Sequence, residues 1–176
     1  AELVMLAKAR PGALQYGSAG HATGTHLAAE YFASATGIQL THVPYKGAGP
    51  ATQDLVAGQV ELMVVTPPSV SGHIRSGTVK ALALASDARH PAFPDIPTTA
   101  EAGLPGFTLD GWFAMFAPAG TPAAIVDRLN AAMRKIAKMD VTKQRANQLG
   151  TVPKDWRPAE MDKFAKSEVV TWGQII

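Results

Sequence analysis

The stretch Tyr16-Gly17-Ser18-Ala19-Gly20-His21-Ala22-Thr23-Gly24-Thr25-His26 constrains this chain more than any other. Its three glycines and three small hydroxyl residues stand between a short apolar run, Leu14 to Tyr16, and a helical pattern set by Leu27, Ala28, Tyr31, Phe32 and Ala35. That order predicts strand, glycine-rich turn, helix. Glycine permits a sharp turn and leaves backbone N–H groups uncovered. The helix N-terminus adds further free N–H groups and a partial positive charge. Together they make a site for an anion such as a carboxylate or phosphate. A turn whose glycines serve packing alone accounts for the same spacing equally well.

The rest of the chain repeats the alternation. A helix over residues 2–9 ends at Pro11-Gly12, and the helix over 24–36 is closed by Gly37. Strands are expected at Leu14–Ser18, Leu40–Pro44, Val60–Thr66 and Val79–Ser86, with short helices at 51–57 and 69–76 between the last three. These strands are apolar runs rather than strict alternations, which argues an α/β fold with a mainly parallel sheet and helices on both faces. In such sheets ligands bind beyond the carboxyl ends of the strands, where loops 17–25, 44–50 and 66–69 emerge. Residues 87–106 carry three prolines between Pro91 and Pro97 and are expected to be irregular, with a short helix over 98–103 started by Thr98 or Thr99.

Phe107–Pro118 reads as a long strand bearing Phe107, Trp112, Phe113 and Phe116. Thr121 then caps a helix with Pro122 at its first position. Its buried stripe is Ile125, Leu129, Ala132, Met133 and Ile136, and further helices follow at 141–149 and 158–175. One strand and three helices make a poor core of their own, so this tail is expected to pack on something outside residues 1–108.

Composition narrows the chemistry. The chain of 176 residues has no cysteine, which excludes disulfides and thiolate metal sites. It opens on a helical pattern without an initiator Met, so the missing leader carries no information about compartment. Residues 1–108 hold six of the 16 Lys/Arg and seven of the 14 Asp/Glu, and the rest fall in 109–176. The basic excess is spread over helix faces with no aromatic interleaving, which argues against nucleic acid. Ser18 fails the nucleophile-elbow pattern because Tyr16 stands where its first glycine belongs, and Gly17, Gly20 and Gly24 miss the dinucleotide spacing. There is no phosphate-loop lysine pattern and no carboxylate pair on one loop. His21 and His26 are five apart, off a common helical face, so no metal and no catalytic residue is expected. His26 reads as a packed histidine, Lys46 as a solvated side chain able to neutralise an acidic ligand, and Trp112 and Phe113 as core or hinge packing.

Several motifs in a fixed order carry a resemblance. They are Tyr-Gly-Ser-Ala-Gly-x-x-Thr-x-Thr-His-Leu at 16–27, Val-Pro-Tyr-Lys-Gly at 43–47, Gly-x-Val-Lys-Ala-Leu-Ala at 77–83, Pro-Asp-Ile-Pro-Thr-x-x-Glu-Ala-Gly-Leu-Pro-Gly at 94–106 and Trp-Phe-x-x-Phe-Ala-Pro-Ala-Gly-Thr-Pro at 112–122. With them the chain resembles the substrate-binding proteins of tripartite tricarboxylate transporters, the Bug family. The resemblance implies a type II-like periplasmic binding protein with two α/β domains closing over a small carboxylate, which it delivers to membrane permease subunits. It implies a periplasmic location, no enzymatic activity and no cofactor. Residues 1–108 would be the second, ligand-binding domain. Residues 109–176 would be the hinge-return strand and C-terminal helices of the first domain, whose N-terminal part the chain lacks.

Carried over residue by residue, the resemblance implies ligand contacts at Ser18, Ala19, Gly20, His21, Thr23 and Thr25, through backbone N–H groups and the hydroxyls of Ser18, Thr23 and Thr25. Tyr45 and Lys46 in the second loop and Thr66 and Pro67 in the third complete the set. Two positions depart from the family: a second glycine commonly stands where Ala22 is, and an Asp-Asn pair where Thr66-Pro67 is. Loss of the acidic side chain favours a plain carboxylate over an amino acid. The alternative expectation is an α/β enzyme that uses the glycine-rich loop to hold a phosphate or carboxylate substrate.

Overall fold

The computed structural model describes residues 2–109 and 111–175. Two compact units divide it, Ala1–Gly111 and Trp112–Ile176.

The first unit is built on a parallel sheet. Helix α1 (Glu2–Ala9) precedes β1 (Gln15–Ser18), α2 (Gly24–Thr36), β2 (Thr41–Pro44), α3 (Ala48–Val56), β3 (Leu62–Met63) and α4 (Pro67–Arg75). The strand order is β2-β1-β3, with β1 central and both pairings parallel. Tyr16 lies opposite His42 and Ser18 opposite Pro44. Because side chains alternate along a strand, Tyr16 and Ser18 face one side and Gly17 the other. On the first side, the Tyr16 hydroxyl donates a very short hydrogen bond to Glu30 of α2. Ala7, Leu14, Tyr16, Ala29, Ala33, Ile38 and Leu62 close over each other there, ringed by Leu3, Val4, Phe32, Leu40 and Val64. On the opposite side a Cβ on Gly17 would meet Met63, Tyr45 and Val60, each at 3.4 Å. The missing side chain thus admits the Tyr45 ring, whose hydroxyl donates to Asp54 of α3 at 2.7 Å. Helices therefore cover both faces, as a doubly buried parallel sheet demands.

Several expected elements are corrected. Only Leu62–Met63 of the run Val60–Thr66 enters the ladder. Val79–Ser86 is not a strand: Leu84 makes a single parallel bridge to Thr98, with Leu84 N–H on Pro97 O and Thr99 N–H on Leu84 O. Among the described residues Phe107–Pro118 forms no strand, and Asp110 within it lies outside them. Phe107 instead packs on α2, its ring 4.8 Å from that of Tyr31 and 5.9 Å from that of Phe32. The helix expected over 98–103 is absent: Thr98 lies in the bridge to Leu84 and residues 99–103 form turns. Thr98 and Glu101 nevertheless make the reciprocal bonds of a capping box, at 2.8 and 3.2 Å. Helix α3 begins at Ala48 rather than residue 51, and α4 at Pro67 itself, where proline lacks only an N–H that the first turn leaves unused.

The second unit holds α5 (Ala123–Lys138), α6 (Asp140–Leu149) and α7 (Pro158–Ile175). Pro122, not Thr121, is the N-cap of α5, because the Thr121 hydroxyl is spent on Pro118 O at 2.8 Å. Trp112, Trp156 and Phe164 form an aromatic group, with Trp112 also donating to Glu168 at 2.9 Å. The stripe Ile125, Leu129, Met133 and Ile136, expected to be buried, is exposed in this chain.

Candidate functional site

Parallel pairing brings the carboxyl ends of β1, β2 and β3 to one edge. There the first two loops lock together: Tyr45 N–H donates to Ser18 O at 3.0 Å and Gly47 N–H to Ala19 O at 3.1 Å. Thr66 and Pro67 follow β3 as the N-cap and first residue of α4, with Gly111 so close that a Cβ there would lie 2.5 Å from the Thr66 methyl. Lys46 is exposed, and no described residue forms an ion pair with it.

Inside the glycine-rich loop every hydroxyl proton is accounted for. A serine or threonine hydroxyl has one donor and two acceptor positions. Ser18 is fully buried; its Oγ lies 3.2 Å from Gly20 O, accepts Gly20 N–H at 3.1 Å and lies 2.6 Å from His42 Nε2. The Ser18 proton is thus spent inside the fold, on Gly20 O or on His42 Nε2 according to the imidazole tautomer. Thr23 Oγ1 donates to Gly20 O at 2.7 Å and lies 3.0 Å from Thr25 Oγ1, so Thr25 is the donor of that pair. Thr25 Oγ1 in turn accepts Ala19 N–H at 2.9 Å. The hydroxyls of Ser18, Thr23 and Thr25 thus hold the loop's shape, and their donor protons are already committed within the fold.

Backbone N–H groups remain for an anion. Thr23 is the N-cap of α2 but makes no capping bond, because its side chain is turned to Gly20 O. The helix end is therefore open. No described residue accepts from the N–H groups of His21, Gly24, Thr25 or His26, whereas those of Ala19, Gly20, Ala22 and Thr23 are engaged. No acidic side chain sits in the first turn of α2 to compete for the positive end of the helix dipole. Ala22 sustains the loop at φ 58°, a left-handed conformation otherwise taken here by glycines such as Gly20 at φ 132°.

One grouping was not legible in the sequence. His21 and His26 converge on His42 from β2, the His26 and His42 rings 4.2 Å apart and His21 edge-on to both at 5.8 and 5.0 Å. Tyr16 also stacks on His42, its ring centroid 4.8 Å away. Burial, and then the neighbouring rings of His26 and His21, lower the pKa of His42. Burial and the Glu30 carboxylate raise that of the Tyr16 phenol.

Comparison with known proteins places the chain in a family. The family model TctC, described as the tripartite tricarboxylate transporter family receptor, matches residues 1–176. A protein encoded in the tcbD–tcbE intergenic region of Pseudomonas sp. strain P51 is 42% identical over 177 residues, covering 99% of this chain and 52% of that protein. Rpa4515 of R. palustris, solved with adipate, superposes with a TM-score of 0.94 at 33% identity, over 99% of this chain and 58% of its own. MatC from Rhodopseudomonas palustris, solved with bound malate, gives a TM-score of 0.94 at 32% identity, over 99% and 60%. The chain thus spans about half to three fifths of the length of these three relatives. Among the described residues no helix is long and apolar enough to cross a membrane. The family is one of receptors and not of enzymes, which removes the enzymatic alternative. A match along the whole chain, the shared α/β fold and the order of the motifs agree that this chain belongs to the tripartite tricarboxylate transporter receptor family.

Proposed function

We propose that the protein is an extracytoplasmic solute-binding protein that captures a small carboxylate in the periplasm and delivers it to the membrane subunits of a tripartite tricarboxylate-type transporter. The observation that carries this reading is the set of unpartnered N–H groups at His21, Gly24, Thr25 and His26, on one loop and one helix end. A carboxylate offers about four lone-pair positions on two oxygens and suits such an array. The adipate and malate in two relatives favour a carboxylate over a phosphate.

Within this reading Ser18, Ala19, Gly20, Thr23 and Thr25 fix the cradle, and His21 lines it. Tyr45 and Lys46 flank it, Lys46 bringing a positive charge, and Thr66 with Pro67 forms the third side of the same edge. A threonine and a proline carry no anion to pair with an ammonium group, so the ligand is a plain carboxylate rather than an amino acid. Residues 1–108 serve as one half of the ligand clamp. Residues 109–176 pack with the other half of a full-length family protein, which would cover the exposed stripe of Ile125, Leu129, Met133 and Ile136.

Calorimetric titration of the full-length protein tests this. The panel is malate, adipate, monocarboxylates, amino acids and inorganic phosphate. Saturable binding of at least one dicarboxylate, with none of the amino acids, is the expected result; absence of binding to every carboxylate would refute the reading.

A further inference from the structure

We propose that His21, His26 and His42 form a three-imidazole site for a divalent transition-metal ion, with zinc the best match. The three residues come from a loop, a helix start and a strand, and one nitrogen from each lies within 4.8 Å of the others. Nitrogens bound at about 2.0–2.1 Å to a tetrahedral zinc stand about 3.4 Å apart. The remaining closure is of the order of 1 Å. Of the three histidines, His21 is exposed and the others are half-buried. Imidazole nitrogen is a ligand suited to zinc, copper and nickel and not to magnesium or calcium, which take oxygen.

The second layer is in place as well. Histidines that bind metal are usually oriented by a hydrogen bond from the other ring nitrogen. His42 Nε2 lies 2.6 Å from the buried Ser18 Oγ, and in the tautomer that donates to it the Nδ1 lone pair is left for a cation. Ser18 is held in turn by both backbone groups of Gly20. On His26, Nδ1 accepts Ala22 N–H at 3.3 Å, a long bond that competes weakly for that lone pair. Tyr16 stacked at 4.8 Å fixes the plane of His42. Three protein ligands leave one tetrahedral position for water or another oxygen donor. The site stands on these contacts alone and does not depend on the carboxylate reading.

The test is calorimetric titration of zinc chloride into the untagged, metal-stripped protein, together with zinc X-ray absorption. Expected are saturation at one ion per chain and three imidazole nitrogens around it. His21→Ala and His26→Ala should each abolish that binding or weaken it at least tenfold. Ser18→Ala should weaken it by about 10-fold through loss of the orienting bond. His73→Ala, remote in sequence and absent from the cluster, should leave it unchanged. His21 is exposed, so its variant folds, and unchanged zinc affinity in that variant would overturn the proposal. So would the absence of saturable binding, or fewer than three imidazoles around the ion. In that event the three rings serve packing alone.

Discussion

Replacing Ala22 with glycine should stabilise this protein, although alanine is ordinarily the more stabilising of the two. Ala22 sits at φ 58°, where an L-residue crowds its own Cβ against the next carbonyl. That conformation costs an alanine roughly 1–2 kcal/mol, and glycine adopts it freely. The substitution also loosens the unfolded chain, which offsets about 0.4–1 kcal/mol of the gain. No burial term enters, because the Ala22 methyl is exposed. The N–H donated to His26 Nδ1 belongs to the backbone and survives. The net is a stabilisation of roughly 0.5–1 kcal/mol. In urea, with a slope near 2 kcal/mol per molar, the midpoint should rise by about 0.3–0.5 M. Equilibrium unfolding followed by circular dichroism reads it directly. A midpoint that is unchanged or lower would mean that the loop in solution does not hold Ala22 in the left-handed region, and the cradle geometry argued from it would fail.

Other substitutions probe the same loop and the second unit. Gly20→Ala should destabilise by about 2–3 kcal/mol, since φ 132° is strained for alanine and its Cβ would lie 3.2 Å from the Tyr45 carbonyl oxygen; a loss under 0.5 kcal/mol in the same unfolding assay would contradict the close approach. Thr25→Val strands the Ala19 N–H now bonded at 2.9 Å and should cost about 1–2 kcal/mol, with Thr25→Ser restoring most of it. In the second unit Arg134 and then Lys138 hold the Asp155 carboxyl down to about 2 from its ordinary 3.8. A depressed carboxylate stabilises fully above its ordinary value and loses that contribution as pH falls through 2. A carbon-13 NMR titration should find the midpoint near 2, moving up toward 3.8 in Arg134→Met.

What the sequence made legible follows from what each element depends on. Strand β1, helix α2 and the loop between them are specified locally: apolar residues up to Tyr16, glycines where the backbone turns, and an αL Gly37 at φ 63° closing the helix. Val79–Ser86 and Phe107–Pro118 carry strand-like residues, yet a strand also needs a neighbour to complete its ladder. Leu84 finds only one bridge in Thr98, and Phe107 finds the rings of Tyr31 and Phe32 instead. The loop hydroxyls looked like ligand contacts because residue type does not reveal where a proton is spent. Ser18, Thr23 and Thr25 spend theirs inward, and this could be read only once Gly20 O and His42 were in place. The histidine cluster stayed hidden for a related reason. Spacing within one segment separated His21 from His26, while the third member arrives from β2 through the Tyr16–His42 register.

The central claim is that the glycine-rich loop receives its ligand through backbone N–H groups. An amide nitrogen-15 NMR titration of the full-length protein with adipate or malate tests it most directly. The account predicts saturating downfield amide-proton shifts at His21, Gly24, Thr25 and His26, larger than those at Ala19 and Gly20, whose N–H groups are already bonded within the loop. Saturable binding that leaves those four amides unmoved would contradict it.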